Sequence, residues 1–245
     1  MTSNSDVSIG SSENDPVWLR SYKGIPIKSD YRVHDAVFGI LENIAKKSSG
    51  HLSFLDIAMG SGALTQRVAD SFPLWDISTN DYEGQSRLTD FIKYSVDLNS
   101  QFSSSFRKYD LILCVEVLEH LENPWNFIRE LRELLLPGGV IILTTPNSDS
   151  VLDRINYARY GHAFYFGEQG YLNSEGHITA VPDWLMRLIL KSNGFDSVNL
   201  SAVSTRPFIR KKLRPVFTAL LIYLKLTKKP YNHRSINIYL ISSPI

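Results

Sequence analysis

The residues able to do chemistry fall in two places. "HLSFLDIAMGSGALT" brings Asp56 up against Gly60 and Gly62, and "EVLEH" ends on Glu119 and His120. A glycine turn lets the backbone approach a ligand closely. A helix that starts there offers unpaired N–H groups. Histidine titrates near physiological pH, so His120 can take a proton from a reacting group. His177, in "EGHITAVPDW", is a second candidate base, and Glu116 and Glu119 lie where one can orient a histidine or a ligand. The six histidines, at 34, 51, 120, 162, 177 and 233, show no ligand spacing such as H-E-x-x-H, so the sequence predicts no metal site.

The glycine run excludes two familiar ligand loops. A dinucleotide loop wants a third glycine, where this chain has Thr65, and a phosphate-binding P-loop wants a lysine after its last glycine. What stands instead is Asp56-x-Ala58-x-Gly60-x-Gly62.

The elements that must position these residues alternate. Asp30 to Lys47 carries Val33, Val37, Ile40, Leu41 and Ile44 at helical spacing, with Ser29 as a cap. "HLSFLDI" reads as a buried strand and "ALTQRVADSF" as the helix behind the glycine loop. "PLWDISTND", "FIKYSVDL" and "YDLILCVEV" read as the next three strands. Asn123 and Pro124 open a helix that Pro137 and Gly138 stop. "VIILTTP" is a fifth strand, "PDWLMRLILKSNGF" a helix ended by Gly194, and "SVNLSAVS" and "INIYLISS" the last two strands. Strands alternating with helices predict an α/β fold: a doubly wound, mostly parallel seven-stranded sheet with helices on both faces. Ligands in such sheets bind at the carboxyl ends of the strands.

Four segments, in this order, resemble the class I S-adenosylmethionine (SAM)-dependent methyltransferases. They are the Asp56–Gly62 motif, with alanine at its first glycine; Asp81, 19 residues past Gly62; Asp97 in "SVDL"; and "YDLILCVEVLEHLENP" with "LRELLLPGGVIILTTPN". The last pair is similar to small-molecule methyltransferases, including those of ubiquinone biosynthesis. The resemblance covers roughly Leu52 to Asn147. It implies a SAM cofactor held by Asp56, Ala58, Gly60, Gly62, Asp81, Tyr82, Asp97, Leu98, Cys114, Val115 and Glu116. In it the carboxylate at Asp81 receives both ribose hydroxyls and the one at Asp97 lies near the adenine amino group. Val115 and Val117 line the site by packing. For the transfer, the resemblance points to His120, with His177 and Glu119 as the other candidates. More loosely, residues 153–195 resemble bacterial methyltransferases of surface polysaccharide or lipid-linked glycan synthesis. The expected reaction is O-methylation of a small molecule, a sugar or a lipid-linked glycan. RNA or protein methylation, or a non-catalytic assembly subunit, are the alternatives; no separate nucleic-acid module is visible.

Residues 147–181 form a long connection rich in aromatics (Tyr157, Tyr160, Phe164, Tyr165, Phe166, Tyr171), expected as a lid over the strand ends, with an aromatic mini-core as the bland alternative. One cysteine excludes an internal disulfide and fits a reducing, cytoplasmic setting. The polar, acidic first 15 residues read as a disordered tail without signal-peptide character, ahead of a single domain over 16–245. Of the 26 lysines and arginines, nine lie between Arg206 and Arg234, where no acidic residue occurs, and the rest of the chain is net acidic. Val216 to Leu224 is the apolar centre of that insertion (205–234), too short to span a bilayer. Three readings stand: a packed helix, a peripheral contact of 206–229 with an anionic membrane, and a dimer contact or anionic-substrate patch.

Overall fold

The computed structural model describes residues 20–48, 50–81, 91–173, 176–203, 222 and 235–244. The expected tail, Tyr82 and, apart from Ile222, the basic segment 206–229 lie outside the described residues.

Nine strands and six α-helices are described: β1 (Ser21–Tyr22), β2 (Ile25–Pro26), α1 (Tyr31–Ala45), β3 (Ser53–Asp56), α2 (Ala63–Ser71), β4 (Asp76–Asn80), β5 (Ile92–Tyr94), β6 (Tyr109–Cys114), α3 (Pro124–Glu133), β7 (Leu135–Pro146), α4 (Val151–Tyr160), α5 (Glu168–Asn173), α6 (Asp183–Ser192), β8 (Ser197–Val203) and β9 (Ile236–Ser242). The first two strands make a small hairpin. The other seven form one sheet in the order β5-β4-β3-β6-β7-β9-β8. β3 to β7 pair in parallel, and β9 runs antiparallel between β7 and β8. This is the doubly wound, mostly parallel sheet that the strand–helix alternation predicts.

Two apolar layers flank the sheet because adjacent side chains on a strand point to opposite faces. Leu55, Ile112, Ile141, Leu143, Tyr239 and Ile241 pack with Phe127, Ile128, Met186 and Ile189 of α3 and α6. Their neighbours Phe54, Leu111, Leu113, Ile142 and Ile238 pack with Val33, Val37, Leu64 and Val68 of α1 and α2. The strands are apolar on both sides for this reason.

Local signals explain the element ends, with three differences from expectation. Asn123 accepts from the Asn126 N–H at 3.0 Å and Pro124 takes the first helical position, as the sequence predicts. The cap of α1 is Asp30, which accepts from the Arg32 N–H, rather than Ser29. A carboxylate is the stronger acceptor there. α3 stops at Glu133, ahead of Pro137, because Leu135 already pairs with Tyr109 in the sheet. The connection 147–181 holds two helices, α4 and α5. Ser150 caps α4 and Gly161, at φ +78°, ends it. In this connection Ala163 and Phe166 are buried, whereas Tyr157, Tyr160, Phe164 and Tyr171 are exposed.

Candidate active site

Sheet register places the chemistry. Asp56, the last residue of β3, pairs with Thr79 on one side and Leu113 on the other. Cys114, the last residue of β6, pairs with Leu143 of β7. The glycine loop, Asp81, and the "VEVLEH" turn therefore leave the sheet from adjacent carboxyl ends, where open α/β sheets bind ligands.

The glycine loop is shaped by two left-handed residues, Gly60 at φ +53° and Gly62 at φ +86°. L side chains rarely adopt such angles. A Cβ at Gly60 would meet nothing within 4 Å, so that side of the loop opens onto free space. α2 begins directly after Gly62, leaving its first N–H groups at the loop. Asp56 fixes the loop from beneath: it is 3% exposed and accepts from Thr65 Oγ1 at 2.6 Å. Burial pushes its carboxyl up to about 6, against the pull of the Thr65 hydroxyl and the Ala58 N–H. Ala58 is partly buried against the core.

A buried amide braces the neighbouring strand ends. Asn80 Nδ2 donates to the carbonyls of Ile57 and Val96, each at 3.1 Å, and its Oδ1 accepts the Val96 N–H at 2.9 Å. The Asn80 carbonyl also accepts the Met59 N–H. One side chain thus locks together the glycine loop, the β4 end that carries Asp81, and the chain leaving β5. Asp81 follows at the open end of β4, its N–H donating to the Tyr94 carbonyl. Asp97 is exposed and closes a local turn through the Asn99 N–H. Leu98 beside it is buried.

The turn after β6 carries the second half of the site. Cys114 is buried and its thiol pushed well above the usual range, by burial first and by Asp56 second. Val115 is partly buried. Glu116 has φ +50°, an unusual angle for a side-chain-bearing residue. Thr144 holds it there: Thr144 Oγ1 accepts the Glu116 N–H at 3.0 Å and donates to Glu116 Oε1 at 2.7 Å. Burial pushes the Glu116 carboxyl up to about 7, outweighing the Thr144 hydroxyl. Glu119 is fully buried, accepts from Thr145 Oγ1 at 3.2 Å, and has no partner for Oε1. Burial, then the Glu116 charge, hold its carboxyl well above the ordinary range.

His177, 57 residues downstream of His120, is brought onto this turn. The N–H groups of Ile178 and Thr179 donate to the Glu119 carbonyl at 2.9 and 3.0 Å, and the Thr179 hydroxyl donates to the Leu121 carbonyl. The His120 and His177 rings meet edge to face with centroids 4.7 Å apart. Phe166 and Tyr165 also lie near the His177 ring, with centroids 5.7 and 6.2 Å away. Burial, then the neighbouring His120, lower the His177 ring to about 4. The three candidates for the transfer step, Glu119, His120 and His177, form one cluster.

Sequence reasoning missed Asn80, Thr65, Thr144 and Thr145. Their signal was present: four polar residues inside or bordering apolar strands and a helix face, all buried. Buried polar groups demand partners.

The arrangement fits SAM. Gly60 clears space for it, the Asp81 carboxylate can accept two hydroxyl hydrogen bonds, and the carboxyl groups of buried Asp56 and half-buried Glu116 favour a cationic ligand. Sheet order, glycine loop and strand-end acids together define the class I SAM-dependent methyltransferase fold. Residues 30–200 match the model of the methyltransferase domain family, and the chain belongs to that family. A ubiquinone biosynthesis O-methyltransferase of Arabidopsis thaliana is 29% identical over 105 residues, which cover 39% of this chain and 33% of that one. That of Cereibacter sphaeroides is 31% identical over 105 residues, 42% of its length. The chain thus spans between a third and about half of these curated relatives. A SAM-dependent methyltransferase from Archaeoglobus fulgidus superposes with a TM-score of 0.59 at 14% identity, over 86% of this chain and 94% of that one. The plantazolicin methyltransferase BpumL, in complex with a triazolic desmethylPZN analogue and SAH, gives 0.56 at 17% identity, over 87% and 85%.

Proposed function

We propose that this protein transfers the methyl group of SAM to a hydroxyl oxygen of a small molecule, a sugar or a lipid-linked glycan. One observation carries the reading: the polar cluster Glu119–His120–His177 lies at the strand end next to the glycine loop. A cofactor site and a proton-accepting site thus share one edge of the sheet. The donor methyl is already electrophilic, so the protein's work is alignment and removal of the acceptor proton. Asp56, the glycine loop, Asp81 and Asp97 would hold the cofactor. SAM bound there supplies the methyl group. His120 or His177 receives the hydroxyl proton, and the neighbouring aromatic residues of the 147–181 connection close over the acceptor.

The likeness to ubiquinone biosynthesis O-methyltransferases supports oxygen as the acceptor atom. Exposed Tyr157, Tyr160, Phe164 and Tyr171 offer stacking surface for a sugar or ring. Among the described residues no helix is long and apolar enough to cross a membrane. A peripheral contact through the basic segment 206–229 would bring the site to a lipid-linked acceptor. The test is transfer of radiolabelled methyl from SAM to a panel of phenols, sugars and lipid-linked glycans. Label in an alkali-stable ether, with matching SAH release, is the expected product. Label confined to nitrogen, to RNA or to protein would overturn the oxygen assignment.

A further inference from the structure

We propose that Asp153 is a positioning residue of the reaction: from α4 it holds the Phe164–Tyr165 backbone against which the His177 ring is set. This deepens the reading above and rests on it only for the effect on methyl transfer. The positioning itself stands on the geometry.

Asp153 is a carboxylate inside the aromatic connection, only 1% exposed. A buried carboxylate is retained where its oxygens are hydrogen-bonded. Oδ1 accepts the Phe164 N–H at 2.7 Å, and Oδ2 accepts the Ser150 hydroxyl. Ser150 Oγ accepts the Asp153 N–H in return, at 3.1 Å. A backbone N–H bonded to an ionised oxygen is among the stronger hydrogen bonds, so Phe164 is firmly placed.

The helix that carries this carboxylate is itself tied down. The Ser150 N–H donates to the Asn147 carbonyl, and the Asn147 N–H donates to the Ser235 carbonyl at 2.8 Å, at the start of β9. Asp149 Oδ2 accepts the Asp183 N–H at the start of α6. Val151 is fully buried. Asp153 therefore projects from an element fixed to both the sheet and α6, as precise placement requires.

The segment held by Asp153 reaches His177. Asn156 Nδ2, also on α4, donates to the His162 carbonyl at 3.0 Å, and the Phe166 N–H closes a turn onto the Ala163 carbonyl at 3.1 Å. Tyr165 lies inside that turn. Its backbone hydrogen-bonds the His177 ring and raises the proton affinity of the ring, the sign of a carbonyl that accepts a ring N–H. His177 Nδ1 is buried and has no partner. The ring N–H is therefore at Nε2, and Nδ1 keeps the lone pair that can take a proton. The bond at one imidazole nitrogen decides which state the other adopts. On its other side the His177 loop is held by the bonds of Ile178 and Thr179 to the Glu119 carbonyl. His120 meets the same ring edge to face, so a displaced His177 disturbs both histidines.

The test is NMR of the full chain with isotope-labelled histidine, without SAM or acceptor, the His177 signals being assigned with His177→Gln. The expected wild-type ring is neutral at neutral pH and in one tautomer, with its proton on Nε2. Asp153→Ala mixes the two tautomers and lowers kcat by about 10²-fold, the cost of a misplaced reacting group, while SAM affinity is unchanged. Asp153→Asn keeps an acceptor for the Phe164 N–H, and it restores the single tautomer and most of the rate. Val151→Ala loosens the same helix without touching the carboxylate, and its tautomer is that of the wild type. A wild-type proton on Nδ1, an Asp153→Ala ring in the wild-type tautomer, an unchanged kcat in that variant, or a Val151→Ala ring that shifts as well overturns the proposal. If Asp153→Ala does not fold, the Phe164 amide decides: it exchanges slowly with solvent in the wild type and faster in Asp153→Asn, and an unprotected amide in the wild type overturns the proposal. The predicted tautomers in a protein that methylates no acceptor of the panel refute the proposed function and leave the positioning standing.

Discussion

Thr65→Val removes one hydroxyl from the buried pair that supports the glycine loop, and the shape of the side chain is kept. In the native protein Thr65 Oγ1 donates to Asp56 at 2.6 Å, and both residues are buried. Burial already raises the Asp56 carboxyl to about 6 from its ordinary 3.8. Between those values the folded state keeps a proton that the unfolded state has lost, so stability falls as pH rises from about 4 to about 6. Across that window the loss is about 3 kcal/mol. The hydroxyl limits this loss by solvating the carboxylate, and a hydrogen bond to a charged group contributes about 1.5–3 kcal/mol. Without it the Asp56 carboxyl rises further, and the variant is about 1.5–3 kcal/mol less stable at pH 8. At pH 4 the carboxyl is neutral, and the deficit shrinks to about 0.5–1.5 kcal/mol, the worth of a neutral bond. Urea unfolding of both proteins at the two pH values measures this. Equal deficits at pH 4 and pH 8 would refute the claim that Thr65 acts on a buried charge.

Asn80→Ala strands the Ile57 and Val96 carbonyls and the Val96 N–H. It should cost about 3 kcal/mol by denaturant unfolding, about 1 for each bond. Gly194→Ala forces a side chain into φ +77° with its Cβ 2.5 Å from Arg132 Nη1, which now bonds the Asn193 carbonyl. Thermal unfolding should show a loss of about 1–2 kcal/mol. His120→Ala should slow methyl transfer by about 10²–10⁴-fold while SAM affinity is unchanged; loss of SAM binding instead would make His120 a cofactor contact.

The strand–helix alternation, the Asn123–Pro124 start and the glycine turn were legible because each depends on residues close in sequence. Periodicity reports a face, and a cap or a left-handed glycine reports a local angle. The early end of α3 was not legible, since it is set by the pairing of Leu135 with Tyr109, 26 residues away. The same holds for Asn80, whose side-chain partners Ile57 and Val96 lie in two other segments. His120 and His177 were both singled out from sequence as bases, but their meeting was not foreseen. What joins them is a pair of backbone bonds from Ile178 and Thr179, and backbone groups leave no trace in residue type. The helices α4 and α5 were hidden for another reason. Their aromatics are partly exposed and show no apolar stripe from which a helical period can be read.

The most direct measurement is calorimetric titration of the protein with SAM, in parallel with Asp81→Ala. The account predicts one SAM per chain for the wild type. The variant should bind about 1.5–3 kcal/mol more weakly, because it loses charge-assisted bonds to the ribose hydroxyls. A wild type that binds no SAM, or an Asp81→Ala protein that binds it with unchanged affinity, would contradict the placement of the cofactor at the carboxyl ends of β3 and β4.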